Sequence, residues 1–168
     1  MKFVVIAGIF LFFGIGLSAQ NPIPKTETTR VLYVYEENNP SLDVWKRLIK
    51  MEYLASGFQF EERSAAELGT VDLSRYDSIL IHGAVMVFTW KEPLRDWLER
   101  NQTFAGRRVV LLVTANQWFL KEYQTRLAEL LQKSRAQVDV VSAATKSLTD
   151  QEKLQLVRET IRMLGGTR

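Results

Sequence analysis

Short apolar blocks alternate along the chain with segments of helical spacing, and this alternation is its main structural signal. RVLYVY at 30–35 is β-branched and aromatic with polar residues on either side, as a buried strand is. Asn39 and Pro40 then suit a helix start, and Leu42, Trp45, Leu48, Ile49 and Tyr53 make an apolar stripe that Gly57 ends. Phe58 to Arg63 alternates, with Phe58 and Phe60 on one face, and predicts a second strand. Ser64 to Leu68 has room for one helical turn. Residues 76–114 read as strand, loop, helix and strand: YDSILIHG, AVMVFTW, KEPLRDWLERN, FAGRRVVLLVT. Phe119 to Arg135 carries Phe119, Tyr123, Leu127, Leu130 and Leu131 on one helical side, and Gln137 to Val141 predicts a fifth strand. Thr149 and Glu152 form a capping box ahead of a last helix that turns Leu154, Val157, Ile161 and Leu164 inward and stops at Gly165 and Gly166.

Strands that alternate with helices need crossover connections, so the expected fold class is α/β, a doubly wound sheet of five parallel strands. The chain shows no internal repeat and no second domain, and its 168 residues are enough for one real core. Its opening, MKFVVIAGIFLFFGIGLSAQ, sets Lys2 before an apolar run that reaches Leu17 and small residues that end at Ala19. This is a signal-peptide pattern over 1–19 with cleavage after Ala19, which implies export to the periplasm or beyond the cell. An uncleaved anchor is the other reading, against which stand a run shorter than the ~20 residues that span a bilayer and the glycines Gly8, Gly14 and Gly16. After cleavage no stable membrane insertion is expected. Residues 20–29, with Pro22 and Pro24, read as an extended tether ahead of a domain at 30–168.

The absence of cysteine excludes disulfides, thiol chemistry and lipid attachment at a cysteine. A formal charge of +3, one unit of it Lys2, is too small and dispersed to point to nucleic acid. The sequence lacks a G-x-S-x-G elbow, which with the missing cysteine sets hydrolase and amidotransferase classes aside.

RYDSILIHGAVMVFTWKEPLRDWLERNQTFAGRRVVLLVT resembles the flavodoxin-like family: a "YD" entering the third strand, a loop ending in an aromatic, a Pro-Leu-Arg helix, a Gly-basic turn and a strand ending in Thr. The likeness covers the mature domain in order of elements and its middle third in motif. It implies the strand order 2-1-3-4-5, and FMN held by three loops at the carboxyl edge of the sheet.

The first of those loops, Glu36 to Ser41, offers Asn38, Asn39 and Ser41 as donors at a helix start. It has no glycine for close approach, Pro40 lacks an N–H, and Glu36 and Glu37 repel a phosphate. In the second, Val85 to Trp90, Phe88 or Trp90 could lie against a flavin ring with Thr89 at its polar edge, or cap the core under the next helix. The third, after the fourth strand, supplies Thr114, Asn116 and Trp118. The candidate cofactor-binding set is therefore Asn38, Asn39, Ser41, Phe88, Thr89, Trp90, Thr114, Asn116 and Trp118, with ring stacking expected to outweigh phosphate recognition.

His82, the one histidine, has no paired acid or nucleophile in the sequence and is expected to be hydrogen-bonded and structural. Glu36 and Glu37 lack a third ligand at a metal spacing and read as a solvated loop, so no metal site is expected. Trp45 and Trp97 read as core residues, Arg107 and Arg108 as a turn into a strand, and Asn101 to Thr103 as a glycosylation acceptor pattern. Two functions remain. One is an exported FMN electron carrier or small oxidoreductase with a flavin or other planar ligand and a redox or envelope protein as partner. The other is a flavodoxin-like binding or structural module of the envelope that holds no flavin.

Overall fold

Each apolar block becomes a strand of one sheet and each helically spaced segment a helix across it. The computed structural model describes residues 28–36, 42–68, 71–84, 93–100, 103–144 and 148–165. In chain order the elements are β1 (Arg30–Tyr35), α1 (Leu42–Ser56), β2 (Gln59–Ser64), β3 (Ser78–Ala84), α2 (Pro93–Glu99), β4 (Arg108–Ala115), α3 (Gln117–Lys133), β5 (Gln137–Ala144) and α4 (Asp150–Gly165). All pairings are parallel and the order is β2-β1-β3-β4-β5, as expected.

Both faces of the sheet are buried, which is why the central strands are continuously apolar and not alternating. Side chains still leave a strand with period two, so Val31 and Tyr33 of β1 meet Leu80, Val110 and Leu112 on one face. That face is covered by Trp45 and Ile49 of α1 and by Val157, Ile161 and Leu164 of α4. Leu32, Val34, Ile79, Ile81, Leu111 and Val113 point the other way, under Leu94, Trp97 and Leu98 of α2 and Tyr123, Leu127 and Leu131 of α3. At the exposed edge, β2 carries Glu61, Glu62 and Arg63, charges that discourage pairing with another chain. Among the described residues no helix is long and apolar enough to cross a membrane.

Element boundaries differ from the sequence reading in several places. β5 runs on through Ser142, Ala143 and Ala144, because β4 offers backbone partners as far as Ala115. α3 opens at Gln117, since Asn116 is extended and its carbonyl accepts the N–H groups of Phe119 and Leu120. Phe58 precedes β2, though it still packs with Phe60 on the α1 and α4 face. Gly57 ends α1 at φ 75°, a left-handed turn that suits glycine. The capping box at the start of α4 is present: Thr149 N donates to Glu152 Oε2 at 2.8 Å and Glu152 N to Thr149 Oγ1 at 3.3 Å.

Candidate functional site

In an open α/β sheet the ligand crevice lies beyond the carboxyl ends of the strands, where neighbouring strands send their connections to opposite sides. Here that point is between β1, which continues to β2, and β3, which continues to β4. The register sets Tyr35 of β1 beside His82 of β3, and His82 beside Leu112 of β4.

Below this crevice the sheet carries a polar network. Tyr33 Oη lies 3.1 Å from His82 Nδ1, and His82 Nε2 lies 3.1 Å from Thr114 Oγ1. Neutral imidazole has one donor and one acceptor nitrogen, and both hydroxyls can rotate, so either neutral tautomer satisfies both contacts. The Trp45 ring stands edge-on to the imidazole at 6.0 Å between centroids, and His82, Tyr33 and Thr114 are all buried. Burial lowers the His82 pKa from 6.5 to about 3, and burial first, then the charges of Glu62 and Tyr35, raises that of Tyr33 well above 10. His82 is therefore neutral near pH 7 and has the hydrogen-bonded, structural position expected of it.

Glu36 corrects the sequence reading. It is the first residue after β1 and is buried, not solvated. Its N–H donates to the His82 carbonyl at 3.4 Å, and its Oε2 accepts the Leu94 N–H of α2 at 3.3 Å. The carboxylate thus reaches from the end of β1 to the start of α2, across the switch point.

Of the sequence candidates, Asn38, Asn39, Ser41, Phe88, Thr89 and Trp90 lie outside the described residues, as does Glu37. The other three do not converge. Thr114, expected in a ligand loop, is inside β4 with its hydroxyl on His82. Asn116 is half-buried at the start of α3, where its carbonyl and not its side chain makes the cap. Trp118 is 88 % exposed and lines a groove of about 490 Å³ with Lys121, Glu122 and Thr125 on the outside of α3. At about 100° per helical residue, the buried Leu127 lies on the opposite side of α3 from Trp118. Two further cavities sit at the amino edge, one beside Leu98 and Ser134, the other beside Arg30 and Tyr76.

Among the described residues no three His, Asp or Glu side chains gather as a metal cage requires. Two polar groups near this edge already have protein partners: the Leu94 N–H is engaged by a carboxylate and the Thr114 hydroxyl by His82. Sequence reasoning missed Glu36 and Tyr33. Neither has a local signal, since Leu94 and His82 are far along the chain and only the fold brings them near.

No protein-family model and no curated protein matches the chain. Solved structures do. Oxidised flavodoxin 2 from Bacillus cereus is 16% identical, covers 79% of this chain and 96% of its own, and superposes with a TM-score of 0.62. A variant flavodoxin from Pseudomonas aeruginosa gives 8%, 82%, 97% and 0.64 in the same terms. The rubredoxin oxygen:oxidoreductase from Desulfovibrio gigas gives 11% and 0.60, with 82% of this chain matched to 36% of that one. With five parallel strands in the order 2-1-3-4-5 between two pairs of helices, the chain has the flavodoxin-like fold.

Proposed function

We propose that the chain is an exported flavodoxin-like protein that binds a flavin at the carboxyl edge of its sheet and exchanges electrons with a redox partner. The observation that carries this reading is the β1/β3 switch point in a sheet that superposes on flavodoxins, the place where open α/β sheets bind ligands. When bound, a flavin supplies the electron-transfer chemistry that these side chains lack. What the described residues contribute is a buried, hydrogen-bonded floor. Tyr33, His82 and Thr114 tie β1, β3 and β4 together just below the crevice, with no charge at neutral pH. Export follows from the pattern of residues 1–19, and the expected mature chain begins at Gln20.

The placement of Thr114 and Trp118 favours a second reading, a flavin-free binding module on the same scaffold. Thr114 gives its hydroxyl to His82, and Trp118 lies on the outside of α3. The visible absorption spectrum of the purified protein, backed by titration with FMN and with riboflavin, separates the two. Flavin absorbance that stays with the protein, or saturable quenching of flavin fluorescence, is the expected result. No spectral change with either flavin would leave the flavin-free module.

A further inference from the structure

We propose that Tyr33 and His82 form a proton-coupled redox pair: an outer-sphere one-electron oxidant that meets Tyr35 draws an electron from Tyr33, and the phenolic proton of Tyr33 passes to His82. The pair works whether or not a flavin binds, since every group in it belongs to the chain.

A phenol gives up an electron readily only where a base takes its proton in the same step, because the phenol radical cation is a very strong acid. Tyr33 has such a base at 3.1 Å, the Nδ1 atom of His82. In the tautomer with its hydrogen on Nε2, the imidazole donates to Thr114 Oγ1 at 3.1 Å and leaves the Nδ1 lone pair for the Tyr33 O–H. One electron leaves Tyr33 for the oxidant, the Oη–H bond breaks, an Nδ1–H bond forms, and the products are a neutral phenoxyl radical and an imidazolium. Both imidazolium N–H groups then keep partners, the phenoxyl oxygen and the Thr114 hydroxyl. Burial opposes the new cation, as it does any protonation of His82. Against this stands the carboxylate of Glu62, which the register sets beside Tyr33 and whose charge already acts on that phenol. When a one-electron reductant refills the radical, the proton returns to Oη.

Tyr35 supplies the way in. It is half-buried at the end of β1, and its ring centroid is 5.5 Å from that of Tyr33. The Lys46 ammonium sits 3.8 Å from the centroid of the Tyr35 ring, where it repels a positive hole. The hole therefore moves inward to Tyr33, which is fully buried with His82, away from solvent and from a second radical.

The test oxidises the purified protein with photogenerated ruthenium(III) tris-bipyridine and reads tyrosyl radical by freeze-quench electron paramagnetic resonance, with a thermal melt on each variant to check folding. The wild type is expected to give one dominant, slowly decaying tyrosyl signal that forms more slowly in heavy water, and Tyr33→Phe to lose it. His82→Gln, whose amide can accept a hydrogen bond but is no base, is expected to lower the yield by about tenfold or more and to lose the isotope effect. Tyr35→Phe should slow formation and leave the spectrum unchanged. A measurement on the wild type needs no substitution: His82 is the one histidine, so labelling histidine with a heavy nitrogen isotope gives the radical a nitrogen coupling that only this ring can supply. A signal that survives Tyr33→Phe, a yield and isotope effect unmoved in His82→Gln, or a wild-type radical without coupling to the labelled imidazole overturns the inference.

Discussion

His82 is held neutral by burial, and this couples the core to acid. Its folded pKa of about 3 lies below the ordinary 6.5, so the unfolded chain takes up a proton first as pH falls. Its contribution is complete above pH 6.5 and is lost as pH drops toward 3, with about 3 kcal/mol gone by pH 4. Glu61, Asp72, Asp150 and Glu152 also have lowered pKa values, but they titrate further down and stay ionised between pH 6.5 and 5. Urea midpoints across that window should fall in the wild type and stay flatter in His82→Gln; parallel slopes would remove His82 from the account. The structural role of His82 was legible from the lack of a paired acid or nucleophile. Its partners were not, since Tyr33 and Thr114 are 49 and 32 positions away along the chain. Glu36 read as a loop residue for the same reason: its carboxylate accepts the N–H of Leu94, 58 positions on.

At the scale of elements, periodicity found every strand and long helix, because each buries a face and the face repeats. Ends were less legible. Ser142, Ala143 and Ala144 are poor strand formers, and β5 includes them only because β4 lies alongside with ladder groups to pair. Close packing between elements left no trace either. A Cβ on Gly83 would stand 2.7 Å from Leu127 Cδ1 and 3.1 Å from Tyr123 Cε1, so a methyl there makes the Leu127 and Tyr123 side chains of α3 give way. Gly83→Ala is expected to destabilise by about 1–3 kcal/mol through overpacking. Adding Leu127→Val should return part of that loss, as a favourable coupling in a double-mutant cycle of urea midpoints. Equal stability of Gly83→Ala and wild type would show that α3 shifts away freely.

For the molecule as a whole, the strand order was legible because parallel crossovers and their fixed hand leave few arrangements for five alternating pairs. That same order makes β1 a central strand, bonded to β2 on one side and β3 on the other. The domain therefore depends on its first described residues. The Thr29 carbonyl accepts Gln59 N–H at 2.9 Å, the Arg30 carbonyl accepts Asp77 N–H at 2.9 Å, and Arg30 N–H donates to Asp77 Oδ2 at 2.7 Å. A chain that starts at Thr28 keeps all three, and its urea midpoint should match that of a chain starting at Gln20 to within about 0.5 kcal/mol of stability. A chain that starts at Tyr33 loses them together with the fully buried Val31 and Leu32. Those two side chains alone are worth about 1.5–3 kcal/mol each, against a total stability of about 5–15 kcal/mol for an ordinary domain. Because the loss splits the pairing of β2 from the rest of the sheet, this chain is expected to lose its cooperative transition and its dispersed amide spectrum. A cooperative unfolding curve for the chain from Tyr33 would mean that β1 is dispensable and that the sheet is held by β3, β4 and β5 alone.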